Sequence, residues 1–314
     1  MVGLVLGGCS GSADADPCAS TVCSSGTQCV EGKCVLKPLG DAGPHVIDSG
    51  TGNDVSTGDD SGMKIDAGPI EDSAPSEPTE CFKSDIPYTN TQLSFAVPPG
   101  ARWMHVKAWG GGANQEGSCP GGVGAYTEAS FEVKPGTELV FVVGAPGSAS
   151  TELEQMLTGF GRTGGSGLTG VFSGPGLVKA DEFSKAWMIA AGGGGAGVQS
   201  GGGPCIPGVP GNHPTAGGMP TMLGGVGLDD NVNGGGGGYR GGKGGAKGEK
   251  GFGGTSYVDP ARATDSFTLQ GEIGDEMPPN TGDPDYKNNA GSYETPGLLV
   301  VKFTCDKPVV EPPK

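Results

Sequence analysis

Residues 186–197 read AWMIAAGGGGAG, an apolar strand-like run that closes on four glycines, an alanine and a fifth glycine. Gly192, Gly194 and Gly197 match the spacing GxGxxG. That spacing holds a dinucleotide only where a helix comes next and offers its free N–H groups to the pyrophosphate. Here the next residues, 198–214, are VQSGGGPCIPGVPGNHP, too rich in Gly and Pro for a helix. A second run, GGYRGGK at 237–243, matches GxxxxGK but has Gly244 where the magnesium-holding Ser or Thr of a phosphate loop belongs. The glycines need a reason other than phosphate.

Between Gly110 and Gly254 lie 46 of the 65 glycines, gathered between strand candidates and not inside them. Lacking Cβ, extended helices of three residues per turn can lie with their backbones almost touching. Each amide then bonds a neighbouring helix, with weak Cα–H bonds in the same contact. Fixing a residue costs about 1–2 kcal/mol of backbone entropy, so only an array that satisfies most backbone groups can offset it. The run GGKGGAKGEKGFGG, residues 241–254, fits this idea. Its Gly242, Gly245, Gly248, Gly251 and Gly254 recur every third residue, giving one bare face and one carrying Lys243, Lys247, Glu249 and Lys250. Collagen has that period, but this run is too short and lacks its prolines. The expectation is a bundle of polyglycine II helices within one chain.

The segments flanking the glycines alternate with period two. In TQLSFAVPPG, Leu93, Phe95 and Val97 share a face. In ARWMHVKAWGGG, Met104, Val106 and Ala108 face one way and Trp103, His105, Lys107 and Trp109 the other. AYTEASFEVKPGTELVFVVG gives two strands joined at Lys134, Pro135 and Gly136. KAWMIAAG, TSYV, DSFTLQG and GLLVVKFTC bring the total to about eight or nine short strands, and only TELEQMLTGF suggests a helical turn. The fold class expected is all-β: a jelly-roll-like antiparallel sandwich, which hides the edges of its first and last strands, with the glycine bundle inserted.

The N-terminal portion differs in kind. MVGLVLGGC places Leu6, Gly7 and Gly8 before Cys9 and resembles a bacterial lipobox, which makes Cys9 the expected lipid carrier and residues 1–9 a truncated lipoprotein signal peptide. Eight residues are too few for a hydrophobic signal core, so the expected start of translation lies upstream. Residues 10–34 hold Cys18, Cys23, Cys29 and Cys34 at spacings unlike the CxxC pairs of a zinc site. The cluster reads as an extracytosolic disulfide knot and resembles a short EGF-like module. Of three possible pairings, Cys18–Cys29 with Cys23–Cys34 is the one expected. Residues 35–80 carry ten Asp or Glu against two Lys and little apolar bulk. Such a segment is a charged, disordered spacer, a better account than calcium capture by Asp59 and Asp60. Residues 81–305 form the folded domain and 306–314 a disordered tail. Cys81 and Cys305 bracket that domain, and Cys119 and Cys205 sit in its glycine-rich arms, so two further disulfides, Cys81–Cys305 and Cys119–Cys205, are expected. The formal charge of −16 argues against binding to nucleic acid or to anionic lipid headgroups.

The ordered series MHVKAWGGG, GAYTEASFEVKPGTELVFVVGAPG, WMIAAGGGGAG and GGGGGYRGGKGG resembles the extracellular glycine-rich domain of the anaplastic lymphoma kinase and leukocyte tyrosine kinase receptors. The similarity covers roughly residues 95–258. It implies a jelly-roll sandwich with a packed bundle of glycine helices, used to bind a protein ligand. It implies nothing about signalling, and no ligand-contacting residue carries over.

Sites for chemistry are sparse. Asp229, Asn231, Asn233 and Gly234 open a calcium-loop pattern, but Arg240 stands where its bidentate Glu belongs, so a polar turn is the better account. Asp275, Glu276, Asp283 and Asp285 read as a solvated acidic loop, ahead of a patch for a cation or basic partner. His45, His105 and His213 form no metal spacing, and no GxSxG elbow occurs. Glu128 and Glu132 share a strand face and could mimic a glycosidase pair, although exposed carboxylates are the plainer account. Trp103 and Trp109 read as anchors against the second sheet before a sugar-stacking platform. No catalytic, cofactor or metal residue is therefore expected. The reading is a lipid-anchored, surface-displayed outer-membrane protein that binds or adheres to an extracellular protein or glycan. A structural envelope module without ligand is the alternative, and a glycan-acting enzyme the weakest.

Overall fold

The computed structural model describes residues 27–30, 33–36, 80–86, 89, 91–115, 118–147, 152–162, 164–198, 205–227, 233–308 and 310. Contacts divide the chain into two units, Met1–Glu77 and Pro78–Lys314. In the first, β1 (Thr27–Val30) and β2 (Lys33–Leu36) form an antiparallel hairpin with Cys29 opposite Cys34. Cys9, Cys18, Cys23, the side chains of Cys29 and Cys34, and most of the acidic spacer lie outside the described residues.

The second unit is built on strands β3 (Glu80–Ile86), β4 (Leu93–Ala96), β5 (Trp103–Trp109), β6 (Tyr126–Glu132) and β7 (Glu138–Val142). After one short helix, α1 (Glu152–Leu157), come β8 (Thr169–Ser173), β9 (Ala186–Ala190), β10 (Gly197–Val198), β11 (Cys205–Ile206), β12 (Tyr257–Val258), β13 (Ala263–Leu269) and β14 (Leu298–Thr304). Two five-stranded sheets result, in the orders β13-β6-β5-β14-β3 and β12-β9-β8-β7-β4, with every pairing antiparallel. The protein is an all-β sandwich. Two of these ten strands exceed the sequence expectation, as does the short β10–β11 pair outside the two large sheets. β8, TGVFS, is short and sits inside the glycine-rich stretch, and β3 contains Cys81, which was expected just ahead of the first strand.

The alternation seen in sequence sets the core. Met104, Val106, Ala108, Ala129, Phe131, Leu299, Val301 and Phe303 are fully buried on the inner face of one sheet. Across the interface Phe95 stacks on Phe303, with ring centroids 5.4 Å apart, and Phe131 meets Trp187 at 5.5 Å. The second sheet also buries its outer face: Val140, Val142, Phe172, Ala186 and Ile189 pack with Phe160, Leu168, Val178 and Met222.

Register decides where the glycines go. Trp109 pairs with Tyr126 and with Leu298, Tyr126 with Leu269, Val142 with Gly170, Thr169 with Ala190, and Ile189 with Tyr257. Segments 110–125, 143–168, 191–256 and 270–297 therefore all leave from the same end of the sandwich, the first three rich in glycine. There, outside α1 and the short β10–β11 pair, the glycine-rich segments make a body that is neither sheet nor helix. Along Gly192–Gly195 the N–H of Gly192 donates to Gly237, that of Gly193 to Gly111, that of Gly194 to Val209 and that of Gly195 to Gly234, back on the first segment. The carbonyls do likewise: Gly192 accepts from Gly254, Gly193 from Ser166, Gly194 from Gly122, and Gly195 from Gly251. This stretch is thus bonded to six surrounding segments, and the bonding direction repeats after three residues. Gly110–Asn114 repeats the rule, with donors aimed in turn at Ala125, Gly167, Thr295, Gly122 and Gly164.

The spacing between these segments leaves no room for side chains. A Cβ at Gly193 would overlap the Gly122 carbonyl, one at Gly236 the Gly192 carbonyl, and one at Gly253 the Pro210 carbonyl. In each case the obstacle is backbone, which cannot rotate away as a side-chain tip can.

Candidate functional site

The outer face of the β5–β6–β14 sheet holds the densest polar chemistry. Trp103, His105, Lys107 and Trp109 of β5 point away from the core, opposite Glu132, Ser130, Glu128 and Tyr126 of β6. The 270–297 segment folds over this face. Trp109 is fully buried beneath it, donates from its indole Nε1 to the Pro279 carbonyl at 3.1 Å, and packs on Tyr126 and Tyr286. Trp109 is therefore an anchor, but for the covering loop and not for the second sheet as expected. Trp103 is half-buried, with the Lys307 ammonium 5.8 Å from its ring centroid.

Beside this apolar patch lies a charged one. The Lys107 ammonium donates to both oxygens of Asp283, at 3.0 and 2.8 Å, and to Asp285 at 3.0 Å, while Lys302 reaches Asp285 at 2.9 Å. Burial disfavours the charge on Lys107, but hydrogen bonds and attraction to the two aspartates outweigh it and leave the pKa above its usual 10.5. The expected solvated acidic loop is thus half correct. Asp275 and Glu276 are exposed, whereas the Asp283 and Asp285 side chains are buried and ion-paired. A strand lysine between two inward-facing residues was the signal that they had a partner.

Glu128 is also buried, correcting its expected exposure. It accepts a hydrogen bond from the Tyr126 hydroxyl and pairs with His105 Nε2 at 2.8 Å. Burial first, then the Glu128 charge, pushes the Tyr126 phenol well above its usual range. Glu132 is exposed at the strand end. One carboxylate is locked in a buried pair and the other is in solvent, so the two do not share a reaction cleft. The Ser130 hydroxyl, on the strand position opposite His105, is buried without a hydrogen-bond partner among the described residues. This face works as a clamp that fastens the 270–297 segment to the sandwich.

The glycine motifs resolve in favour of packing. Gly192, Gly193 and Gly194 lie in the lattice, and β10 comes after them, not a helix. Gly241 and Gly242 are buried, and Lys243 lies against Gly218. Of the calcium-like run, Asp229 and Asn231 lie outside the described residues. Asn233 is fully buried, and its amide donates to the carbonyls of Ala246 at 2.8 Å and Glu249 at 3.0 Å, pinning that turn. His213 is half-buried and hydrogen-bonds Thr215, and His45 lies outside the described residues.

Cys119 and Cys205 are joined, as expected, with Cα atoms 5.3 Å apart. Cys305 is also in a disulfide. The β3–β14 register puts Cys81, whose side chain lies outside the described residues, in the bulge beside Thr304.

Sequence reasoning passed over one concavity. Phe183, Pro220, Tyr239 and Arg240 line a cavity of about 280 Å³. Tyr239 stands edge-on to Phe183 and stacks on Tyr257 at 3.9 Å. The residues come from segments far apart in the chain, and in sequence Tyr239 and Arg240 stand only within the GGYRGGK match to a phosphate loop.

Fold and surface together define an antiparallel β-sandwich capped by a body of backbone-bonded glycine segments. Among the described residues no helix is long and apolar enough to cross a membrane. Comparison of the chain with protein-family models and with curated proteins gives no match.

Proposed function

We propose that this chain is a non-enzymatic, surface-displayed binding or adhesion module, carried on a lipid anchor at Cys9 and an acidic spacer. We read its glycine body as a bundle of polyglycine II helices and its sandwich as a jelly roll. The observation that carries the proposal is the bonding of Gly192–Gly195 to six neighbours with a repeat of three. Such a body has few side-chain rotamers to freeze, so groups mounted on it bind with little loss of entropy. The motif order shared with the glycine-rich domain of the anaplastic lymphoma kinase and leukocyte tyrosine kinase receptors supports a partner-binding use. A lipobox-like start, a Cys-rich knot and a like-charged spacer, in that order, support display at the cell envelope.

The test applies the full-length protein to extracellular protein and glycan arrays. Saturable binding to a partner is the expected result, and silence on both arrays would favour a purely structural envelope role. Membrane fractionation tests the anchor: Cys9→Ser should release the protein, and unchanged membrane association would refute lipidation there.

A further inference from the structure

The structure assigns the cavity at Phe183, Pro220, Tyr239 and Arg240 to the recognition of an acidic polysaccharide, a uronate- or sulfate-bearing chain. This rests on the binding-module reading above and gives it a site and a ligand class.

Three observations meet there. The first is shape and surface. The cavity, about 280 Å³, is lined by Phe183 and Tyr239, whose rings meet edge to face at 5.3 Å, and Tyr257 backs Tyr239 in a stack tilted by only 10°. Aromatic walls with one polar group that fixes orientation are the usual make-up of a small-ligand site, and at this volume they suit a sugar ring offering its C–H face.

The second is charge. Arg240 is exposed in the cavity wall, and Lys243 and Lys247 are exposed beyond it, with Lys250 half-buried. Among the described residues none of these four cations is in an ion pair. Among the described residues the carboxylates near these groups are Glu249, exposed within the row, Asp181, exposed near Phe183, Glu182, which is paired with Lys185 at 2.9 Å, and Asp259, which faces Tyr257 and is paired with Arg262 at 2.8 Å. Unpaired cations are conspicuous in a chain whose formal charge is −16. They also run on from the cavity, because the backbone segment carrying Gly218 and Pro220 lies against both Arg240 and Lys243. Gly218 bridges Gly242, and Met219 N–H donates to the Gly241 carbonyl. A ligand ring in the cavity therefore has a track for its anionic neighbours. A long nucleic acid would meet the acidic remainder of the surface, whereas a saccharide with one ring in the cavity and a few charges on the track would not.

The third is preorganisation. Tyr239 and Arg240 come directly after the buried lattice run Gly234–Gly238. Tyr239 N–H donates to the Thr255 carbonyl at 2.7 Å, Thr255 N–H to the Arg240 carbonyl at 2.9 Å, and Arg240 N–H to the Thr255 hydroxyl at 3.0 Å. The ring and the guanidinium are thus mounted on a backbone that has little freedom left to lose.

The experiment titrates the full-length protein calorimetrically with oligogalacturonate and with a heparin-derived hexasaccharide. Controls are methyl-esterified oligogalacturonate and an oligothymidylate of matching charge. Expected is binding of at least one acidic saccharide, at least tenfold tighter than the ester or the oligothymidylate. Arg240→Ala should weaken it tenfold or more, and Lys247→Ala about twofold. Arg240 is exposed and its hydrogen bonds run through its backbone, so that variant should melt like the parent, and Arg240→Lys should recover part of the affinity. No binding of either acidic saccharide, equal binding by Arg240→Ala, or equal affinity for the oligothymidylate would each overturn the assignment. If instead an array partner binds the parent and Arg240→Ala alike, the site is wrong while the binding-module reading stands. Absence of any partner sinks both.

Discussion

The sandwich and the glycine body solve the same problem in opposite ways. In the sandwich, backbones pair within a plane and side chains fill the space between planes; Phe95, Phe131, Phe141 and Phe303 occupy it. In the glycine body, successive amides bond outward in three directions in turn and other backbones fill the space. The sandwich can accept a different apolar side chain if its volume is kept. The glycine body has no such latitude. Its sharpest test is Gly193→Ala, which puts a methyl group into the Gly122 carbonyl and can be relieved only by moving two bonded segments. The expected loss exceeds about 4 kcal/mol, at the extreme of single substitutions, and would appear in chemical denaturation as a collapsed midpoint or failure to fold. A near-neutral result would show that the segments slide and would remove the contrast.

The Cys119–Cys205 bond tests how far the glycine body, unlike the sandwich, depends on a covalent tie. It closes a sequence separation of 86 residues and ties the first glycine segment to the third. The double substitution Cys119→Ser with Cys205→Ser should cost about 2–4 kcal/mol, chiefly through the freedom regained by the unfolded chain. A loss in that range with unchanged native amide protection would mean that the lattice holds without its staple. Equal loss of protection throughout the glycine segments would mean that the staple aligns them.

The two regions were also legible in sequence to different degrees. Period-two alternation located β4 and β5, whereas β6, β7, β9 and β14 stood out as short runs between turn residues, and β7, β9 and β14 are buried on both faces, so they write little alternation. β8 was missed because Gly170 and Thr169 break that pattern among neighbouring glycines. The triplet in residues 241–254 suggested one continuous three-residue repeat, but the run turns at Lys247–Gly248, where Gly248 has φ +74°, and folds back so that Phe252 N–H donates to the Lys243 carbonyl; nor could anything local say that six segments converge on Gly192–Gly195. That convergence comes from register, which carries four insertions to one end. The clamp was half visible. Lys107 was placed on the outward face, but its partners Asp283 and Asp285 lie 176 and 178 residues away, and only the fold brings them over it. The cavity was invisible for the same reason.

The clamp sets a pH limit that the lattice does not. Lys107 and Tyr126 both have folded-state pKa values above their usual 10.5 and 10.0. A raised value means that the folded protein keeps its proton where the unfolded chain has lost it. The stabilisation is therefore complete below about pH 10 and drains away as pH rises from there. Each such group contributes about 1.4 kcal/mol per pH unit to the slope. Stability curves from pH 7 to 11 should be flat and then fall, and Tyr126→Phe, which has no proton to lose, should fall less steeply. Parallel slopes for the two proteins would remove Tyr126 from the account. Gly193→Ala should lower the whole curve without changing its shape, because no titrating group is involved.

The smallest effect is the control that gives the largest its meaning. Gly282 sits in the covering segment with nothing within 4 Å of its Cβ direction, and its φ is outside the left-handed region. Gly282→Ala makes the same chemical change as Gly193→Ala in a place where no backbone stands in the way. The added methyl restricts the unfolded chain and should leave stability unchanged or raise it by up to about 1 kcal/mol. The two substitutions, compared under one set of conditions, separate close backbone approach from the general cost of replacing glycine. If both destabilised alike, crowding would not be the reason glycine dominates the body; if only Gly193→Ala does so, missing Cβ atoms are what let those segments bond.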